Sequence, residues 1–152
     1  MSDNFIRFRA IRKSLDRPFG TVPKGNEARH LNTLASMING IIASKRTNLP
    51  PIASKTPISI KQEIITKRFS RWIDNFNIKE KLYLMPYAIE LLAALSPSEI
   101  TLAMDGSTVG RNCICLMVSV IYKNRALPLA WFVIEGSKGH LPEIMHLDLR
   151  FD

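Results

Sequence analysis

The stretch "NEARHLNTLASMINGIIASKR" carries Leu31, Leu34, Ile38, Ile41 and Ile42 at helical spacing, which predicts an amphipathic helix. Asn26 is placed to cap its start. Lys45 and Arg46 suit its last turn, where cations meet the carbonyl end of the dipole. "TNLPPIASKTPIS" is short and broken by prolines, so it predicts a turn with at most one helical turn inside. In "IKQEIITKRFSRWIDNF", Ile65, Phe69, Trp72 and Phe76 fall at i, i+4, i+7 and i+11 and make an apolar stripe. Lys61, Gln62, Lys67, Arg68 and Arg71 mostly fall away from it. A helix built this way docks on its aromatics and shows its cations to solvent, so Phe69 and Trp72 read as core, not as base-stacking groups. Helix, short broken segment and basic helix in that order are compatible with a helix-turn-helix variant. "IKEKLYLMPYAIELLAAL" predicts a further apolar helix, kinked or interrupted near Pro86.

The period then changes. "ITLAMDGS", "CICLMVSVIYK" and "ALPLAWFVIEG" are apolar and rich in β-branched and aromatic residues. Polar turns separate them, and "KNR" between the last two suggests a tight hairpin. The expected fold class is α+β: a helical N-terminal region followed by three antiparallel strands. Residues 1–26 are basic and punctuated by Pro18, Gly20, Pro23 and Gly25, which predicts an arm and linker. The expected organisation is an arm over 1–26, a helical region over 27–96 and a sheet region over 97–152.

Charge changes this picture more than composition does. The formal net charge is +8. Residues 1–80 hold 15 Lys/Arg against 6 Asp/Glu, whereas residues 81–152 hold 6 against 7. The basic surplus is therefore N-terminal, which suggests a polyanion-facing first half and an electrically neutral second half. For the basic helix at 61–73, contact with DNA would go mostly to phosphates rather than bases; a merely solvated charged face is the plainer alternative. No segment is long and apolar enough to cross a bilayer, and "MSDNFIRFRAIRKSL" lacks the continuous apolar run of a secretory signal. Cys113 and Cys115, two apart on a strand, share a face and cannot bridge each other. No Cys/His partners stand at zinc spacing, so buried thiols in a reducing cytoplasm are expected.

The stretch "LAMDGSTVGRN" sets a single carboxylate, Asp105, after an apolar run. Asp-Gly is a turn signal; at a rigid strand end the same side chain could hold a divalent cation. Glu135, next to Gly136, could in principle share that cation but reads as a solvated loop carboxylate.

"LAMDGSTVGRNCICLMVSVIYKNRALPLAWFVIEGSKGH" resembles the opening of the catalytic domain of bacterial insertion-sequence transposases of the Asp-Asp-Glu class, built on an RNase H-like fold. The strand ending in Asp-Gly, the "VSVIYKNRALPLAW" hairpin and the following Gly-x-Lys-Gly-His carry the likeness. "HLNTLASMINGIIASKRTNLPPIA" and "KRFSRWIDN" are similar to the helical region that precedes it. The likeness covers residues 27–147.

The resemblance implies an enzyme that cuts and joins DNA. Asp105 would match the first triad carboxylate, catalytic and metal-holding, in a site for Mg²⁺ or Mn²⁺. Such sites hold two divalent ions about 3.5–4 Å apart, one activating the attacking oxygen and one stabilising the leaving oxygen. Hard cations of this kind take carboxylate oxygens. Lys45, Arg46, Lys61, Lys67, Arg68 and Arg71 would contact DNA. The implied partners are double-stranded DNA and either full-length transposase or another copy of the chain, with no membrane. The implied location is the bacterial cytoplasm, at the nucleoid.

In the family a second Asp follows a later strand, and a Glu comes much later on a helix. "DLRFD" would cast Asp148 as the second Asp, but "KGHLPEIMHL" is too short for the usual helix and fourth strand before it. The expectation is a C-terminally truncated chain, inactive alone, with an open edge on its first strand. A non-catalytic DNA-binding or inhibitory fragment is the second reading, and a small basic structural protein the third. His140 lies in the family-like Lys-Gly-His stretch.

Overall fold

The computed structural model describes residues 2–19, 22–78, 83–95, 99–110 and 112–136. The chain divides into two compact units, Met1–Pro86 and Tyr87–Asp152. The boundary falls ten residues earlier than the sequence predicts, because the helix before the strands packs with the sheet.

The first unit is helical: α1 Asp3–Asp16, a 3₁₀ turn Arg17–Phe19, α2 Gly25–Ser44, α3 Leu49–Ser54 and α4 Gln62–Ile73. The expected basic arm over 1–26 is therefore corrected, since most of it is a packed helix. Asn4, Phe8, Ile11 and Leu15 recur at i, i+4, i+7 and i+11 and lie on its partly or fully buried side. A partly buried amide cluster adds to the docking of α1. Asn39 Nδ2 donates to Asn4 Oδ1 at 2.7 Å and to the Lys55 carbonyl at 3.3 Å, and Asn4 Nδ2 donates to the same carbonyl at 2.7 Å.

Helix α2 begins at Gly25 with Lys24, not Asn26, at its N-cap. It ends where Lys45 turns left-handed, at φ 53°, and donates its N–H to the Ile41 carbonyl at 2.8 Å. Its fully buried residues are Leu31, Ala35, Ser36, Asn39 and Gly40, whereas Ile41 and Ile42 are exposed. Small residues on that face let the neighbouring helix come close. A Cβ on Gly40 would stand 2.5 Å from both Cγ2 and the carbonyl oxygen of Ile52.

In α3 the prolines sit in the first turn, where a missing N–H costs nothing and the fixed φ suits the helix. They start it rather than break it. Ile52, Ala53, Ile65 and Phe69 form the core of this unit, flanked by Met37, Leu49 and Ile58. Phe76 lies beyond the end of α4 and is 97% exposed, so the expected stripe stops at Trp72. The link 55–61 between α3 and α4 is longer than the three or four residues of a helix-turn-helix turn. Helix α4 is therefore not the second helix of such a motif.

Helix α5 Met85–Leu95, with Pro86 in its first turn, starts at the boundary and runs into the second unit, which also holds β1 Thr101–Thr108, β2 Cys113–Tyr122 and β3 Arg125–Glu135. The strands form one antiparallel sheet in the order β1-β2-β3. The "KNR" hairpin is present: Tyr122 pairs with Arg125 around Lys123 (φ 47°) and Asn124 (φ 60°). Two left-handed loop residues are those of a type I′ turn, whose twist matches the strands. Helix α5 sets Ala88 on Val120 and Leu129, with Leu91, Leu92, Leu95 and Leu127 around them. A bulge between Val118 and Ser119 shifts the β2–β3 register. Leu102, Met104, Phe132 and Val133 remain exposed.

Among the described residues no helix is long and apolar enough to cross a membrane. Cys113 is half-buried and Cys115 buried, and both are free thiols.

Candidate nucleic-acid interface and the strand carboxylate

Asp105 is neither a turn residue nor a strand-end residue. It is the fifth of eight residues in β1 and pairs with Met117, which in turn pairs with Trp131. The local preference of Asp-Gly for a turn yields here to ladder pairing on both sides of it. The carboxylate is exposed, and Ser107, two residues on and hence on the same face, donates its hydroxyl to Asp105 Oδ2 at 3.2 Å. Strand β1 pairs with β2 alone among the described residues, so Asp105 lies on an edge strand.

Glu135 pairs with Cys113, two strands across and four register positions along from Asp105. Strand spacing and rise separate them by about 16 Å, too far to share an ion. Among the described residues no three His, Cys, Asp or Glu gather in a metal-holding group. The described donors therefore do not fit the two-ion site that the resemblance implies: a lone exposed carboxylate beside a hydroxyl lacks the oxygen ligands a hard cation takes. Asp148, His140 and His146 lie outside the described residues.

The predicted DNA-contacting cations do not share one surface. Lys45, Arg46, Lys61, Lys67, Arg68 and Arg71 are all exposed. Lys45 and Arg46 sit past the C-terminal end of α2, Lys61 precedes α4, and Lys67 lies on the side of α4 opposite Ile65 and Phe69. Arg68 and Arg71 are different. They line a groove of about 650 Å³ together with Arg29 and His30 from the first half of α2, Trp72 from α4, and Asn75 beyond it. Along α2, Arg29 and Lys45 stand about 24 Å apart. Two of the six predicted cations are thus brought together, and Arg29 and His30, which the sequence did not single out, join them.

The groove follows from local structure. Phe69 points into the core of the unit, so its neighbours Arg68 and Trp72 flank that core, and Arg71 lies one turn on from Arg68. Arg29 donates to Asn26 Oδ1 within the first turn of α2. Neither Arg68 nor Arg71 has a carboxylate within ion-pair distance among the described residues. Arg12, by contrast, is engaged with Asp16 and donates from Nε to Asn32 Oδ1 at 2.6 Å.

Trp72 is half-buried and lines the groove, which corrects the reading of it as core alone. Its indole Nε1–H is buried and meets no acceptor among the described residues. Its ring leans on Tyr83, with centroids 5.9 Å apart and planes at 50°. The Tyr83 hydroxyl lies 3.2 Å from His30 Nδ1. Burial raises the Tyr83 pKa above the usual phenol value, and the negative charge of Glu27 raises it further, so this hydroxyl stays protonated at neutral pH.

In comparisons with known proteins, the chain matches no family model, no curated protein and no solved structure.

Proposed function

We propose that the chain is a DNA-binding protein related to the Asp-Asp-Glu transposases. In this reading the helical unit grips the phosphates of double-stranded DNA, and Asp105 marks the first strand of an RNase H-like catalytic region. One observation carries the DNA-binding part: Arg29, Arg68 and Arg71 converge on one groove of a unit with a large cationic surplus, and no carboxylate neutralises Arg68 or Arg71 among the described residues. Guanidinium groups left unpaired in a shared cleft suit phosphate oxygens, which they bind bidentately. The three-stranded antiparallel order with Asp105 on β1 supports the RNase H-like part of the reading.

The described residues do not make a complete cation site. The favoured activity is binding, as in a non-catalytic or inhibitory member of such a system. Its partner would be DNA, and a full-length relative or a second copy bound to the same DNA.

Salt titration of binding to a double-stranded oligonucleotide tests this. Each phosphate neutralised contributes about 0.9 to the slope of log K against log salt. The Arg68→Ala/Arg71→Ala protein should bind more weakly across all sequences, with a slope shallower by about 2. An unchanged slope would remove the groove from the interface. Binding no tighter than that of an equally basic unrelated domain would sink the proposal. Incubation of the same DNA with Mn²⁺ should leave it uncut, and Asp105→Ala should bind as the natural protein does. Cleavage that Asp105→Ala abolishes would reinstate an active enzyme.

A further inference from the structure

The groove holds more than a phosphate needs. Its volume of about 650 Å³ falls in the range of small-molecule clefts, about 300–1,000 Å³. A bare phosphate on the arginines would leave most of it unfilled. Its walls combine two chemistries. Arg29, Arg68 and Arg71 supply cations, while Trp72 supplies an aromatic wall with Asn75 beside it.

We infer that this groove binds a single nucleotide, with its phosphate on the arginines and its base against Trp72. A nucleotide joins an anion to a flat heteroaromatic bearing hydrogen-bond acceptors, which is the pairing the walls offer. Bases stack on aromatic side chains whatever their identity, and the Asn75 amide offers both a donor and acceptors to a base edge. The inference rests on the phosphate-binding reading of this unit and adds to it: a duplex bound only along its backbone would leave Trp72 untouched. The nucleotide can come from two sources, a free mononucleotide or an unpaired residue in a DNA strand.

Trp72 reports its own occupancy. The chain has two tryptophans, and the other, Trp131, lies on β3 in the second unit. In a Trp131→Phe protein all indole emission therefore comes from Trp72. That protein is titrated with dAMP, with a short single-stranded oligonucleotide, with a fully paired duplex and with inorganic phosphate. The expected result is quenching by dAMP or by the single strand. The apparent affinity should fall about tenfold or more in Arg68→Ala and in Arg71→Ala, as for loss of a charge-assisted hydrogen bond. It should be unchanged in Lys67→Ala, whose side chain lies outside the groove.

Tighter binding of dAMP assigns a free nucleotide as the source, and tighter binding of the single strand assigns DNA. Inorganic phosphate that binds as well as dAMP overturns the inference, as does quenching that both arginine variants leave intact. Duplex binding with silent Trp72 emission for every ligand overturns it too, while leaving DNA binding by this unit in place. If Trp131→Phe fails to fold by circular dichroism, the difference between the natural protein and Trp72→Phe gives the same reading.

Discussion

Phe69→Ala should lower the stability of the helical unit by about 3–5 kcal/mol, the range for deleting a buried Phe from a core. Phe69 is 1% exposed and meets Ile52 and Ala53 of α3 and Ile65 one turn earlier on α4. It is the largest side chain in a small core, so no neighbour can swing in to fill the space. Single domains are held together by about 5–15 kcal/mol in total, and this one change would remove a large part of it. The measurement is urea unfolding followed by Trp72 emission in the Trp131→Phe background. The midpoint should fall with little change in slope, because the surface exposed on unfolding is nearly the same. A loss below about 1 kcal/mol would mean that α3 and α4 do not close on this ring.

Gly40→Ala should also destabilise the unit, although alanine is the better helix former by about 1 kcal/mol. The added methyl would sit 2.5 Å from the Ile52 carbonyl oxygen and 3.1 Å from its carbonyl carbon. A rotamer change cannot move backbone atoms, so α2 and α3 must separate. Overpacking of this kind costs about 1–3 kcal/mol and occasionally more, which outweighs the gain in propensity. Ile52→Ala empties a buried core position and alone costs about 2–5 kcal/mol, but it should cost less in the Gly40→Ala background than in the natural protein. It removes the Cγ2 clash, also at 2.5 Å, but leaves the carbonyl in place. Comparing the double variant with the two single ones measures that difference. A Gly40→Ala protein as stable as the natural one would show that the two helices stand further apart.

How far the sequence can be read differs from element to element, for physical reasons. The three strands and the "KNR" turn are legible because alternation, β-branching and turn chemistry are local signals, and the ladder agrees with them. Helix α2 is legible as a helix, but its buried face only in part. The Leu31–Leu34–Ile38–Ile41–Ile42 pattern suggests the core side; Leu31 is fully buried, yet the other residues that bury are Ala35, Ser36, Asn39 and Gly40. Close helix contact selects small side chains, and hydrophobic periodicity does not register them. Helix α1 is hidden by its charges: Phe8, Ile11 and Leu15 keep a helical period, but the arginines between them suggest a solvated arm.

For the site the limit is long-range geometry. Arg68 and Arg71 stand out by local charge, but that Arg29 and His30 face the same space depends on α2 and α4 meeting across some forty residues of chain. No local pattern encodes that. Asp105 is legible as a strand-associated carboxylate, whereas its position in the middle of β1 is set by pairing with β2.

The docking of α1 matters for anyone preparing this protein. Phe8 lines the groove of Arg29, Arg68 and Arg71, and Asn4 completes the amide cluster with Asn39 and Lys55. A shortened version starting after Phe19 would strip one wall from the cleft and leave Asn39 Nδ2 with a single long hydrogen bond. Affinity tags cut off by a protease should be fused ahead of Asp3 through a spacer, and binding assays on trimmed material would report a damaged cleft rather than a simplified one.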